Sequence, residues 1–205
     1  IILTDDQGYG DLACHGNPFI KTPNLDELYR ASLRFTDFHV SPFCSPTRAQ
    51  LLTGRYPSRA GVWHSVKGRS LIHRDEVTTA DVFRYNGYKT AIFGKWHLGT
   101  ADRYHPKQFG YQEFAGIRAG GCPPKNPVLE TVDGEVKQVM GYTCDILTDH
   151  TLDFIRDNKT RPFLVSLHFR APHAAWLPVR NEDWAPFKDL DPEIPNPDFP
   201  DLNIP

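Results

Sequence analysis

Apolar positions along this chain fall into two kinds of pattern: short continuous runs and stripes of helical period. Ile1–Thr4, Tyr88–Phe93 and Phe163–Phe169 are short runs rich in β-branched and aromatic residues, which predict buried strands. Leu25, Leu28, Tyr29 and Leu33 form a stripe over 22–35, predicting a core-packing helix with Thr22 as its cap and Pro23 in its first turn. Thr78–Asn86, stopped by Gly87, and Asp145–Asn158, broken after Arg161-Pro162, predict two more helices. Phe35–Val40 alternates with aromatics on both faces and predicts a further strand leading to Cys44. Glu130–Val139 reads as a hairpin around Asp133-Gly134. The alternation of strand and helix predicts an α/β fold: a mixed, mostly parallel sheet flanked by helices on both faces.

Between these elements lies Cys44-Ser45-Pro46-Thr47-Arg48, followed by a short helical stretch ending at Gly54. Pro46 suits the first helical position, Ser45 a side-chain cap and Gly54 a left-handed terminator. Cys44 then stands beside unpaired N–H groups at the positive end of a helix dipole, with Arg48 one turn on. A cysteine before a helix is ordinarily a packed thiol; here its surroundings also make an anion site. Asp5 and Asp6 follow the first strand, and two adjacent carboxylates with glycines to turn the chain can hold a hard divalent cation, although a solvated acidic turn shows the same letters. Lys95 and His97 follow the Tyr88–Phe93 strand, and two residues apart in an extended segment they point the same way. His173 follows the last strand. Trp63 and His64, in the loop after Gly54, are candidates for a substrate wall, against the commoner role of an aromatic that merely packs. Ligands of α/β sheets bind beyond the carboxyl ends of the strands, where all these residues fall.

The chain has 205 residues and a formal net charge of −2, which argues against a polyanion-binding surface and hence against a nucleic-acid partner. No apolar run is long enough to span a bilayer. Four cysteines show no metal-type Cys-x-x-Cys spacing, and pairing of Cys122 with Cys144 is left open. Asn158-Lys159-Thr160 is a glycosylation sequon by its letters. Both ends read as cut: Ile1 starts inside an apolar run, and Asp189–Pro205 is a Pro-, Asp- and Asn-rich loop without helical period.

Cys44-x-Pro46-x-Arg48, with Thr53-Gly54 after four further residues, resembles the sulfatase signature at every fixed position. Asp5-Asp6-Gln7-Gly8-Tyr9-Gly10-Asp11-Leu12, Gly94-Lys95-Trp96-His97-Leu98-Gly99 and Ala171-Pro172-His173 resemble other motifs of that family. The resemblance implies an alkaline-phosphatase-like fold, of which 1–205 would be the N-terminal part of one catalytic domain. It implies hydrolysis of aryl or carbohydrate sulfate monoesters by formylglycine, formed from Cys44 by a maturation enzyme, in a periplasmic, secreted or lysosome-like compartment. It assigns Ca2+ (or Mg2+) to Asp5 and Asp6 with residue 44. Sulfate binding goes to Lys95 beside Arg48, contact with the formylglycine hydroxyls to His97, and protonation of the leaving alcohol to His173. A second pair of metal ligands and another lysine, usual in the family, have no copy after His173, so the piece alone is expected to be inactive. Ala174-Ala175-Trp176 departs from the small continuation usual after that histidine, so specificity does not transfer. Two alternatives stand beside this reading: a phosphodiester or phosphonate hydrolase on the same scaffold, and an inactive relative that binds sulfated glycans.

Overall fold

The computed structural model describes residues 1–190; the expected terminal loop lies largely outside the described residues. The chain divides into two compact units, one of Ile1–Gly8 with Phe35–Pro178, the other of Tyr9–Arg34 with the chain from Val179 on.

The first unit is built on a six-stranded sheet. Its strands are β1 (Ile2–Asp5), β2 (Lys89–Lys95), β3 (Glu113–Ile117), β4 (Val128–Glu130), β5 (Val136–Gln138) and β6 (Phe163–Pro172), in the spatial order β1-β6-β2-β3-β4-β5. β1, β6, β2 and β3 run parallel, and β4 and β5 form the expected antiparallel hairpin at one edge. The continuous apolar runs are explained by burial on both faces. Ile92, Phe114 and Leu164 enter one core with Ala49 and Leu52 of α2 (Cys44–Thr53) and Ala80 of α3 (Thr79–Tyr85). Ala91, Phe93, Ala115 and Leu167 enter the other with Leu147 and Phe154 of α4 (Thr143–Asn158). Helices therefore cover both faces.

Thr78 caps α3 through a reciprocal box with Asp81. Gly54 ends α2 at φ 67°, its N–H on the Gln50 carbonyl. Three local expectations at the start of α2 and before it are corrected. Phe35–Val40 forms no strand and is largely exposed; it has no ladder partner, and Cys44 is reached from a loop. Helix α2 starts at Cys44 itself, so Pro46 lies inside the first turn. Ser45 is fully buried and does not cap: its Oγ donates to the His97 carbonyl at 2.8 Å.

Cys122 and Cys144 are not disulfide-bonded. The sequon fails as an acceptor in the folded chain, because Asn158 is buried and its Nδ2 donates to the Phe154 carbonyl at 2.7 Å.

The second unit holds α1 (Pro23–Ala31) and the short α5 (Asn181–Trp184). Asp26 ties α1 down by accepting from the Cys14 N–H at 3.0 Å and the Thr22 hydroxyl at 2.7 Å. The Thr22 side chain makes no capping bond, and the stripe of Leu25, Leu28 and Leu33 is exposed rather than core.

Candidate active site

Three chain segments meet at the carboxyl end of the parallel strands, and each is placed by a local feature. Asp5 ends β1, and Asp6 turns away from it at φ 59°. Lys95 ends β2, after which the chain turns at His97, also at φ 59°. That turn corrects the expectation that Lys95 and His97 point the same way: an αL residue breaks the period-two alternation. His173 follows β6, its N–H on the Arg170 carbonyl at 3.1 Å. The buried Arg170 also donates to the His173 carbonyl at 2.5 Å and to that of Ala175, pinning the turn that carries the histidine.

Cys44 sits at the start of α2, half-buried. Its Sγ is 3.2 Å from His97 Nδ1 and 3.2 Å from Ser65 Oγ. A cleft of about 340 Å³ opens beside it, lined by Asp5, Asp6, Gln7, Phe43, Cys44 and Arg48 among others. Beneath the cleft lies a buried charge cluster. The Asp5 carboxylate receives the Lys95 ammonium on one oxygen and has Arg48 Nη2 at 3.4 Å from the other. Arg48 Nη1 donates to the Lys95 carbonyl at 2.7 Å and stands 3.4 Å from His168 Nδ1. Lys95 is fully buried on Asp5 and does not line the cleft, whereas Arg48 does.

Burial, and then the charges of Lys95 and Arg48, hold the His97 imidazole down at about 4. His97 is thus neutral at neutral pH and can accept a proton. Burial and Arg48 likewise hold His168 at about 3. Burial lowers the Arg48 guanidinium, with Asp5 opposing. His173 Nδ1 lies 2.5 Å from the Ala174 carbonyl, which requires the proton there. His173 does not itself line the cleft, but its Nε2 lies 3.5 Å from Asp6 Oδ2, which does.

Asp5 and Asp6 are hard oxygen donors of the kind Ca2+ or Mg2+ prefers, and they share a cleft with residue 44. Their chemistry fits such an ion; their number does not complete a shell. Among the described residues no group of three His, Cys, Asp or Glu gathers to hold a metal.

Trp63 and His64 do not line this cleft. Trp63 is exposed beneath Arg69, and the His64 ring lies 4.3 Å from Phe43. Phe43 is the cleft's aromatic instead. Sequence reasoning missed Ser65, Gly120 and His168. Gly120 presses its main chain on the His97 ring: a Cβ there would lie 2.7 Å from Cε1 and Nε2. The segment before it takes the His97 N–H on the Arg118 carbonyl at 3.1 Å. Arg118 is itself tied to Glu130 and Asp102, each at 2.6 Å. The glycine pair in 119–124 was the available signal, since glycine marks close approach as well as turns. Ser65 and His168 carried none.

A parallel sheet with a cysteine at a helix N-terminus, paired carboxylates and two histidines near its carboxyl end defines an α/β class that binds its ligands beyond the strand ends. The family profile described as Sulfatase matches residues 1–194, and the chain belongs to that family. It is 46% identical over 123 residues to arylsulfatase A of Homo sapiens, covering 57% of this chain and 24% of that protein. Mouse (Mus musculus) steryl-sulfatase is 36% identical over 156 residues, covering 68% of this chain and 25% of its own. The crystal structure of Ps i-CgsB with k-i-k-neocarrahexaose superposes with a TM-score of 0.83 at 29% identity, over 94% of this chain and 48% of that one. The chain thus spans about a quarter of those curated relatives, and its fold is alkaline-phosphatase-like.

Proposed function

We propose that this chain is the N-terminal part of the catalytic domain of a sulfuric ester hydrolase that cleaves aryl or carbohydrate sulfate monoesters with a formylglycine derived from Cys44. The observation that carries the reading is the position of Cys44: at the first turn of α2, on the cleft of Asp5, Asp6 and Arg48, with a neutral imidazole 3.2 Å away. The Sγ marks where the hydroxyls of the hydrated aldehyde would stand.

In this reading one hydroxyl attacks sulfur, its proton passing to the Asp6 carboxylate as the S–O bond to the alcohol breaks. Arg48, with Lys95 behind it on Asp5, supplies positive charge for the sulfuryl oxygens. His173, whose Nε2 lies 3.5 Å from the cleft residue Asp6, donates from that atom to the leaving alcohol oxygen. His97 takes the proton of the remaining hydroxyl, so that the aldehyde reforms and sulfate leaves. Asp5 and Asp6, with residue 44, would hold a Ca2+ or Mg2+ ion, which when bound neutralises charge on the ester; residues beyond those described would complete its shell. Carbohydrate sulfate is kept in the substrate class because the Ps i-CgsB structure carries k-i-k-neocarrahexaose. A formylglycine-generating enzyme is the implied maturation partner, and a periplasmic, secreted or lysosome-like compartment the implied setting.

The test is mass spectrometry of the Phe35–Arg48 peptide from the complete protein made in its native host, paired with turnover of an aryl sulfate. An aldehyde at residue 44 and a Cys44→Ser variant limited to one turnover are expected, because a plain alcohol has no second hydroxyl to expel sulfate. An unmodified thiol despite a co-expressed maturation enzyme, or steady turnover by Cys44→Ser, would overturn the reading.

A further inference from the structure

The loop after α2 returns to cover the start of that helix, and its tip is built to present one hydroxyl. An isolated bridge pairs Val62 with Ser70, and the Trp63 and His64 N–H groups both reach the Arg69 carbonyl, at 3.1 and 3.2 Å. Inside this clasp His64 Nδ1 accepts from the Ser65 N–H at 2.9 Å and the Val66 N–H at 3.3 Å. The backbone of Ser65 is therefore fixed from both sides. Its Oγ stands 3.2 Å from Cys44 Sγ and accepts the Ser45 N–H at 3.4 Å. A hydroxyl that accepts from the main chain keeps its own hydrogen for another partner. The nearest such partner is the side chain of residue 44.

Residue 44 thus has two polar neighbours, each at 3.2 Å: the Ser65 O–H, free to donate, and His97 Nδ1, which accepts in the tautomer protonated at Nε2. A thiol meets both only weakly and through one sulfur, accepting from Ser65 and donating S–H to His97. A hydrated aldehyde has two hydroxyls and gives each neighbour an oxygen of its own. We propose that Ser65 is a catalytic residue that donates a hydrogen bond to one oxygen of the hydrated residue 44, marking that oxygen as the nucleophile, while His97 receives the proton of the other. As that oxygen bonds to sulfur and the ester's alcohol leaves, its proton passes to the Asp6 carboxylate on the same cleft, and the Ser65 hydrogen bond orients the oxygen and eases loss of the proton. No bond to Ser65 forms or breaks. The inference rests on the reading that residue 44 becomes an aldehyde.

The test compares parent, Ser65→Ala and Ser65→Thr in the complete, matured protein, with the aldehyde content of each measured by mass spectrometry. Ser65→Ala is expected to lose about tenfold to a hundredfold in kcat with KM within about threefold, and Ser65→Thr to recover most of it. Labelling of residue 44 by an aminooxy probe, which reads the free aldehyde, should run at least about twofold faster in Ser65→Ala, because the hydrate has lost a partner. A Ser65→Ala enzyme with full aldehyde content, kcat within about twofold of parent and unchanged labelling overturns the proposal. So does equal loss in Ala and Thr with labelling at the parent rate, which marks a structural role. A parent that carries the aldehyde yet cleaves no sulfate ester overturns the hydrolase reading instead, and labelling then decides on Ser65. A parent with no aldehyde overturns both.

Discussion

Gly120 holds His97 by having no side chain. Its main chain lies where a Cβ would sit 2.7 Å from two atoms of the imidazole, closer than van der Waals contact allows. The obstacle is the free end of a rotatable side chain, so relief is cheap for the fold and costly for the geometry: the ring swings, and its 3.2 Å contact with Cys44 Sγ goes with it. Gly120→Ala should therefore shift the thermal midpoint by no more than about 3 °C while lowering kcat at least about tenfold, read by calorimetry and aryl sulfate turnover on the complete protein. A large stability loss with intact turnover would show that the ring is held by something else. The charge cluster under the cleft follows a different rule. Asp5 faces both Lys95 and Arg48, all three buried, so one carboxylate balances two cations in a medium where unpaired charge is expensive. Asp5 is thus needed by the fold as well as by any ion.

Strands β2, β3 and β6 meet at a point that tolerates only glycine. Gly94 pairs with Gly116 on one side and His168 on the other. At φ 119°, a Cβ on Gly94 would fall 1.9 Å from the His168 carbonyl oxygen. Here the obstacle is backbone in the centre of a sheet, which cannot yield. Gly94→Ala should cost on the order of 4 kcal/mol in urea denaturation, against about 1 kcal/mol for loss of the α3 cap in Thr78→Ala. Comparable costs would mean the strands can separate locally. The same scale shows what the sequence could tell. β2 and β6 were legible because strands buried on both faces are continuous apolar runs, and α4 because its stripe has a core to fill. Phe35–Val40 was misread because alternation says nothing about a ladder partner; α1 was legible as a helix but its burial was not, because a stripe says nothing about what covers it. In the candidate site, Asp5, Asp6, Lys95, His97 and His173 were legible from motifs at strand ends, and Cys44 and Arg48 from a motif at a helix start. The different directions of Lys95 and His97 were not, because the left-handed turn at His97 has no glycine to announce it. Ser65 was hidden because its contact depends on how the loop 62–70 closes over α2.

At the scale of the whole molecule, the parallel sheet places a titratable ring where water cannot follow. His168 is 1% exposed, with Nδ1 3.4 Å from the donor-only Arg48 Nη1 and Nε2 without a hydrogen-bond partner. Burial and the Arg48 charge keep the folded ring neutral, and in that form Nδ1 can accept from Arg48 Nη1. Its folded value of about 3 lies below the 6.5 of an unfolded histidine. Above 6.5 neither state binds a proton, and stability from this group is complete. As pH falls below 6.5 the unfolded chain takes up a proton that the folded chain refuses, so stability drops with pH until the folded value is reached. Between pH 7 and pH 5 the loss from His168 alone is about 2 kcal/mol. The window stays above the range in which Asp26, Asp102 and Asp133 titrate, since all three are held below their ordinary values. His168→Asn keeps an acceptor for Arg48 and does not titrate. Urea denaturation of the complete protein at the two pH values should show the variant losing about 2 kcal/mol less than the parent. Equal losses would mean that His168 is protonated in the folded protein. The ring would then stand as a third buried cation beside Lys95 and Arg48, with Asp5 their one carboxylate.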